Sequence, residues 1–193
     1  MIAPKRISSG KYIDLLNFKE DDVTLEDINT ALNYIYRFSG HHKDAEPLTV
    51  AQHTKLVVQL AQELFPNEID VHFDCLLHDL PEAYYGDVPS PIKKILGTAL
   101  QDFTKDIDKA VYDKLWKIEL PFTEEVYHKR KICDLLSLDI ERRTMWDSQI
   151  GKDHWPEIPN DKFYSLKEKR EIFEQIQSER FVNLIEMYNG YVS

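Results

Sequence analysis

The feature that most constrains the fold is the helical spacing of apolar residues along nearly the whole sequence. Apart from Gly10, which interrupts the N-terminal segment, the strongly periodic regions place apolar residues three and four positions apart, as on one face of an α-helix. No stretch has the two-residue alternation of a half-buried strand, and no segment is repeated. The sequence therefore predicts an all-α fold, a single-domain irregular helical bundle that spans residues 1–193.

Capping residues predict where the helices begin and end. Thr24 opens a first helix that Gly40 ends, and Thr49 opens a second helix that stops at Pro66. A short helical continuation is expected after Pro81. The same periodicity predicts further helices at about 69–80, 92–96, 100–119, 123–146 and 166–188, with a surface loop at 147–161.

Charge and hydropathy limit the partners. The formal net charge of −10 argues against a DNA or RNA polymer, because affinity for a phosphate backbone comes from clustered Lys and Arg. A small phosphorylated ligand stays compatible with this charge, since a bound cation reverses the local field. The N-terminus has no apolar signal-peptide core, and no stretch approaches the ~20 apolar residues of a membrane span. We therefore expect a cytoplasmic protein without a membrane partner.

One histidine is predicted to point into the core. His53 lies three residues after Val50 and four before Val57, on the apolar stripe of the second predicted helix. A buried neutral imidazole needs either a hydrogen-bond partner or a metal ion. Taken alone, His53 is more often a satisfied core histidine than a ligand.

Three further donors follow along the chain. His78 and Asp79 are adjacent, so on a regular helix they diverge by about 100° and reach one ion only if it lies near the helix surface. Asp79 has an alternative role as the cap of a helix that begins at Leu80. Asp134 lies among apolar helical residues, where it is either a donor to the same ion or an ion-pair partner of Arg142. Two imidazoles and two carboxylates are a suitable ligand set for a divalent cation.

The order of these donors, H…HD…D, resembles the HD-domain phosphohydrolase superfamily, in particular a small branch related to 5′-deoxynucleotidases and dNTP triphosphohydrolases. The resemblance covers most of the chain, with core motifs at 37–145, whereas 147–193 has no motif to align and is expected to be a loop plus a C-terminal helix. The matching blocks are RFSGH, VAQH, HDLPEAYYGDVPSPIK and CDLLSLDIERR. The third of these blocks is the most specific.

The resemblance implies a ligand set and several roles. His53, His78, Asp79 and Asp134 would hold the metal ion. Arg37 would contact the substrate phosphate, for which a guanidinium is well suited because it binds phosphate oxygens bidentately.

The residues after the HD pair would complete the catalytic set. Glu82 would position or deprotonate the attacking water, and Asp87 would bind near the sugar or help to place that water. Phe38, His41 and Lys93 are further candidates for substrate binding.

Alternatives remain open for each of these residues. Arg37 fits a surface charge near helix C-terminal carbonyls, Glu82 fits a helix cap, and Asp87 fits a turn residue after Gly86. Phe38 stands where the nucleotidase relatives favour Trp, so base or sugar selectivity does not carry over.

The function expected from the resemblance is metal-dependent hydrolysis of phosphate esters of free deoxynucleotides, with release of phosphate from a dNMP or of triphosphate from a dNTP. Two other functions remain: a phosphodiesterase of cyclic nucleotides or a guanosine alarmone, and a helical protein that binds a nucleotide without turnover. The donor set suits Mn²⁺, Fe²⁺, Co²⁺, Ni²⁺ or Zn²⁺, and Mg²⁺ less well. The resemblance also implies a homo-oligomer, a dimer or larger.

Overall fold

The computed structural model describes residues 2–43, 45–146 and 164–193. The fold is all-α, as predicted, and the α-helices of the described residues are α1 (Leu25–Leu32), α2 (Val50–Leu64), α3 (Ile69–Leu77), α4 (Glu82–Tyr85), α5 (Ser90–Leu96), α6 (Thr98–Leu115), α7 (Glu124–Met145), α8 (Leu166–Ser178) and α9 (Leu184–Val192), with short 3₁₀ helices at Glu20–Asp22 and Arg37–Gly40. None of the helices in these residues is long and apolar enough to span a membrane.

Helices α2, α3 and α7 form the centre of the fold and pack against one another. Helix α2 begins as its sequence predicts: Thr49 Oγ1 accepts from the Gln52 backbone N–H, and the Gln52 side chain accepts from the Thr49 N–H. The apolar stripe of α2, which includes Val50 and Val57, is fully buried, and His53 is buried with it. The prediction that His53 points inward is therefore confirmed.

Helix α3 ends at Leu77, earlier than the expected Leu80. Pro81 has no N–H to continue the helical ladder, and the chain passes through a turn before α4. In that turn the Asp79 carbonyl accepts from the Glu82 backbone N–H at 3.1 Å. His78 and Asp79 therefore lie where α3 stops, and their side chains are not held to the spacing of a regular helix.

A polar stripe interrupts the buried face of α7. Asp134, Ser137 and Glu141 follow at spacings of three and four residues, so they lie on the same side of the helix. Ser137 and Glu141 are fully buried. Because α7 packs against both α2 and α3, this stripe faces the two elements that carry the candidate histidines.

The first predicted helix is too long. Helix α1 ends at Leu32, and the segment after it pairs with the residues around Thr49 in an isolated antiparallel bridge. The Arg37 N–H donates to the Leu48 carbonyl at 2.9 Å, and the Val50 N–H donates to the Ile35 carbonyl at 2.8 Å. These partners replace the helical hydrogen bonds that continuation to Gly40 would require.

Two other predictions are also wrong. The N-terminal segment forms a short antiparallel hairpin, β1 (Pro4–Arg6) with β2 (Tyr12–Asp14), where no strand was expected. The predicted helix 166–188 is divided into α8 and α9. The predicted loop 147–161 lies outside the described residues.

Buried asparagines of the first helical segment explain the division between α8 and α9. Asn33 Oδ1 accepts from the Val182 N–H at 2.8 Å, and Asn33 Nδ2 donates to the Val182 carbonyl at 2.9 Å. Asn29 Oδ1 accepts from the Leu184 N–H at 2.9 Å. These tertiary bonds hold the backbone in a non-helical connection, which the local pattern of apolar residues does not reveal.

Replacement of Asn33 by alanine is expected to lower the free energy of unfolding by roughly 2–4 kcal/mol, because both buried backbone groups of Val182 lose their partner. For a chain of this size the melting temperature should fall by roughly 5–15 °C. Thermal denaturation measures the change. Alanine at the neighbouring Tyr34, which is 72% exposed, is the control and should shift stability by no more than about 0.5 kcal/mol. An equal effect of both substitutions would contradict the role of Asn33.

Candidate metal centre

The four expected donors converge at the meeting point of α2, α7 and the end of α3. Asp79 Oδ2 lies 3.3 Å from His53 Nε2 and 3.2 Å from His78 Nε2. His53 Nε2 lies 3.7 Å from Asp134 Oδ1. One ligand atom each from His53, His78 and Asp134 falls within 4.8 Å of the others. His53, His78 and Asp134 could hold a metal ion, and Asp79 lies against both imidazoles.

Hydrogen bonds orient both imidazoles towards the same point. His78 Nδ1 lies 2.7 Å from the Cys75 carbonyl, and His53 Nδ1 lies 2.6 Å from Glu141 Oε1. An oxygen acceptor at Nδ1 keeps a ring proton there, so Nε2 is the nitrogen that can bind a metal ion. Both Nε2 atoms are buried and make no well-formed hydrogen bond with described residues. A cation would give these two nitrogens the partner they lack, so the residues fit a metal ion.

The charges around His53 favour a positive charge at this point. Burial and the nearby Arg37 each lower the pKa of His53, but Glu141 and Asp79 outweigh both and raise it to about 9. A protonated His53 is then the counter-ion of these carboxylates when no metal ion is bound. A divalent cation would take over that function and release the proton.

The two carboxylate donors are held ionised in the same way. Burial raises the pKa of Asp79, but His78 and His53 keep it well below its ordinary value. Burial also raises the pKa of Asp134, and the same two imidazoles lower it to about 2. Both side chains are therefore anionic near neutral pH.

The alternative roles of these carboxylates do not occur among the described contacts. Helix α4 has no side-chain cap, so Asp79 does not cap it. Arg142 pairs with Asp139 at 2.5 Å rather than with Asp134, whose cationic neighbour is Lys131 at 2.8 Å. Both carboxylates instead face the imidazoles.

Glu82 lies beside the donor cluster in a buried position. Its side chain is 2% exposed, and Oε1 is 3.4 Å from Lys93 Nζ, whereas Oε2 has no hydrogen-bond partner among the described residues. Burial raises the pKa of Glu82 well above its ordinary value, and the charges of Asp79 and Asp87 raise it further. An unpartnered carboxylate oxygen with a raised pKa is suited to accept and return a proton.

Arg37 is held on the other side of the cluster. Its Nε donates to Glu141 Oε2 at 3.0 Å, and its Nη1 lies 3.8 Å from Asp79 Oδ2. The guanidinium lies 5.3 Å from the centre of the Phe38 ring. Arg37 therefore does not sit against the C-terminal carbonyls of α1, which ends several residues earlier.

The loop after Arg37 has an unusual backbone that Asp87 supports. Phe38 and Ser39 have φ angles of 54° and 55°, in the left-handed region that non-glycine residues rarely adopt. Asp87 Oδ2 accepts from the Phe38 N–H at 3.0 Å. Asp87 thus connects the loop after α4 to the loop that carries Arg37. Its negative charge raises the pKa of both Glu82 and Arg37.

The remaining candidates differ in position. Lys93, on the exposed helix α5, faces the site through its contact with Glu82. The Phe38 ring packs edge-on against Trp146, with ring centres 4.9 Å apart. His41 is exposed, and within the described part of the chain no side-chain contact joins it to the donors.

Two residues of the site escaped sequence analysis. Glu141 Oε1 accepts from His53 Nδ1, and Ser137 Oγ donates to the same oxygen at 3.0 Å. Both lie on the side of α7 that carries Asp134, since Ser137 is three residues after it and Glu141 is seven residues after it. A polar stripe at that helical spacing on an otherwise apolar face is the signal that could have found them.

Comparison with known proteins places the chain in a family. No family model matches this sequence. The chain is 32% identical over 137 residues to the uncharacterized protein YfdR of Escherichia coli K12, a match that covers 71% of this chain and 69% of YfdR. The chain belongs to the YfdR family.

A second relative is an uncharacterized protein of Rhodobacter capsulatus. This protein is 30% identical over 109 residues, which is 56% of each of the two chains. Since both of these relatives are uncharacterized, membership of the YfdR family does not indicate an activity. The function must be argued from the side chains of the site.

Proposed function

We propose that this YfdR-family protein is a metal-dependent phosphohydrolase of free nucleotides, with a deoxynucleotide as the favoured substrate. The observation that carries the proposal is the pair of buried Nε2 atoms of His53 and His78, which face Asp79 and have no hydrogen-bond partner among the described residues. The resemblance to HD-domain phosphohydrolases supports it, because the donors occur in the order of that superfamily.

His53, His78, Asp79 and Asp134 would hold the metal ion. When bound, a divalent cation would supply Lewis-acid stabilisation of the charge on a phosphate ester. Mn²⁺, Fe²⁺, Co²⁺, Ni²⁺ and Zn²⁺ suit this mixture of nitrogen and oxygen donors, and Mg²⁺ suits it less.

Residues around the ligands would carry the remaining steps. Phosphoryl transfer needs charge neutralisation and an oriented nucleophile more than covalent help. Arg37, whose Nε is already engaged by Glu141, would present its terminal nitrogens to the phosphate. Glu82 would take the proton that the attacking water loses, while a new P–O bond forms and the ester P–O bond breaks.

The surroundings of Arg37 and Glu82 would complete the substrate pocket. Asp87 would hold the loop of Arg37 through its bond to the Phe38 N–H. Lys93 would move its charge from Glu82 to the substrate when a phosphate enters. The formal charge of −10 favours a single nucleotide over a nucleic-acid polymer.

A matrix of substrates and metals tests the proposal. The purified chain is incubated with each dNMP and each dNTP in the presence of Mn²⁺, Co²⁺, Mg²⁺ or Zn²⁺, and the products are separated by chromatography. Release of phosphate from dNMPs or of triphosphate from dNTPs is the expected result. Parallel reactions contain cyclic nucleotides and a guanosine alarmone.

Two outcomes would contradict the proposal. Hydrolysis of only the cyclic nucleotides or the alarmone would make the protein a phosphodiesterase or an alarmone hydrolase. Thermal stabilisation by a nucleotide without any turnover, with all four metals, would make it a nucleotide-binding protein that lacks this activity.

A further inference from the structure

One buried carboxylate joins the metal-ligand cluster to the arginine beside it. Glu141 Oε1 lies 2.6 Å from His53 Nδ1, and Glu141 Oε2 accepts from Arg37 Nε at 3.0 Å. Ser137 Oγ donates to Oε1 at 3.0 Å. The Glu141 side chain is 0% exposed, so its carboxylate is shielded from solvent and depends on these protein donors.

The two oxygens of Glu141 have separate tasks. Oε1 fixes the ring of His53 so that Nε2 points at Asp79, and Oε2 fixes the guanidinium of Arg37 so that Nη1 lies 3.8 Å from the same Asp79 oxygen. A neighbouring carboxylate on the same helix, Asp139, is equally buried but pairs with cations away from the donor cluster. Burial of a charge on α7 is therefore not in itself a feature of the site.

We propose that Glu141 is a positioning residue that holds the metal ligand His53 and the phosphate-binding Arg37 in register with each other. The part of this inference that concerns Arg37 rests on the proposed function. The part that concerns metal binding by His53 rests on the donor cluster alone. A single side chain would then set both the affinity for the metal ion and the affinity for the phosphate.

Replacement of Glu141 by glutamine tests the two hydrogen bonds of the carboxylate without changing the size of the side chain. Its amide has one oxygen and one NH₂ group, so it can accept from the His53 ring or from the Arg37 guanidinium, but it cannot accept from both. The size of the side chain is unchanged. Glu141→Gln therefore removes one of the two orienting bonds, because an NH₂ group then faces a donor. The other bond is weakened, because its acceptor is now a neutral amide oxygen instead of a carboxylate.

The first measurement is Co²⁺ binding in the absence of any nucleotide. Calorimetry gives the affinity, and the visible absorption of the bound ion reports its coordination. Glu141→Gln is expected to weaken Co²⁺ binding by about 10- to 100-fold, the usual effect when the partner of a metal-bound histidine is lost. The absorption bands of Co²⁺ should change as well, because the orientation of the His53 ring changes.

The second measurement is the binding of inorganic phosphate at saturating Co²⁺. Glu141→Gln is expected to weaken this binding by about 10-fold, since Arg37 loses the charge-assisted bond that orients it. Saturation with Co²⁺ separates this loss from the metal effect. Ser137→Ala, which keeps the carboxylate, should weaken Co²⁺ binding less than Glu141→Gln and leave phosphate binding unchanged.

Asp139→Asn is the matched control for the loss of a buried carboxylate on α7. It should lower thermal stability while Co²⁺ and phosphate affinities stay at their wild-type values. If Glu141→Gln behaves like Asp139→Asn, with both affinities unchanged, Glu141 is structural and the inference fails. If Glu141→Gln does not fold, Glu141→Asp tests the same point, because its shorter side chain cannot span His53 and Arg37.

The outcome is distinguishable from that of the proposed function. A wild-type chain that hydrolyses no nucleotide, but whose Co²⁺ and phosphate affinities both fall on Glu141→Gln, would refute the nucleotide activity and support the positioning role. A wild-type chain that hydrolyses nucleotides, with Co²⁺ and phosphate affinities that Glu141→Gln leaves unchanged, would refute the positioning role alone. A wild-type chain that binds none of Mn²⁺, Co²⁺, Mg²⁺ and Zn²⁺ would refute both.

Discussion

Replacement of Glu82 by glutamine is expected to reduce nucleotide hydrolysis by roughly 10²- to 10⁴-fold, the usual contribution of a positioned general base. Affinity for Co²⁺ should not change, because Glu82 is outside the donor set. Glutamine has the same size but cannot accept the proton that the water loses. The buried Oε2 of Glu82, which has no hydrogen-bond partner among the described residues, is the atom to which we assign this function. Steady-state rates at saturating metal measure the loss, and a fully active Glu82→Gln variant would show that the assigned role is wrong.

The pH dependence of the rate gives an independent check on Glu82. Burial, the largest cause, and the charge of Asp87 raise its pKa and do not depend on Asp79, whose charge a bound metal ion would offset. The ionised, proton-accepting form therefore appears at higher pH than for an ordinary glutamate. The rate should therefore rise with pH through this pKa. In the free enzyme Lys93 lowers the pKa of Glu82, so Lys93→Met is expected to move the rise in kcat/KM, which reports the free enzyme, to still higher pH. A rise that stays at the same pH in Lys93→Met would contradict the assignment.

The positions of most helices, and the inward direction of His53, follow from the sequence because they depend on local spacing, whereas the metal-ligand set was implied by the resemblance. A buried stripe on α2 is set by residues three and four apart, and His53 falls within it. Pro81 removes a backbone donor wherever it occurs, so an interruption before α4 is also predictable. Such features need no knowledge of the partners that pack against them.

The ends of helices α1 and α8 could not be predicted, because distant residues determine them. Asn29 and Asn33 hold Val182 and Leu184 in a connection that local propensity does not favour. The segment after α1 leaves the helix to pair with residues near Thr49. In both places, tertiary hydrogen bonds outweigh the small free-energy differences of helix propensity.

The surroundings of Arg37 were also hidden from the sequence. The left-handed backbone at Phe38 and Ser39 costs about 1–3 kcal/mol for each residue, and no local signal marks it. Glu141 lies just before two arginines, where an acidic residue is easily taken for a solvated ion-pair partner. The polar stripe on α7 could have placed Glu141 on the side of Asp134, but its partners come from other elements, so only the packing of α7 against α2 and the Arg37 segment reveals them.

Replacement of either His53 or Asp134 by alanine is expected to abolish both metal binding and hydrolysis. Each substitution removes one of four donors and leaves the remaining charges without the cation that would balance them. For the wild-type chain, Co²⁺ at about 100 times its dissociation constant should add about 2.7 kcal/mol to the free energy of unfolding. The melting temperature should then rise by roughly 5–10 °C, whereas His53→Ala and Asp134→Ala should show no rise.

His72→Ala is the matched control for the loss of a buried histidine. His72 is 6% exposed and its Nε2 lies 2.8 Å from the Phe65 carbonyl, so it has a partner outside the donor cluster. This variant should melt at a lower temperature than the wild type but keep the full rise on addition of Co²⁺. A rise that persists in His53→Ala and Asp134→Ala would mean that Co²⁺ binds elsewhere, since two of the four donors would then be dispensable. The convergence of the four side chains would in that case be a feature of packing and charge balance rather than a metal site.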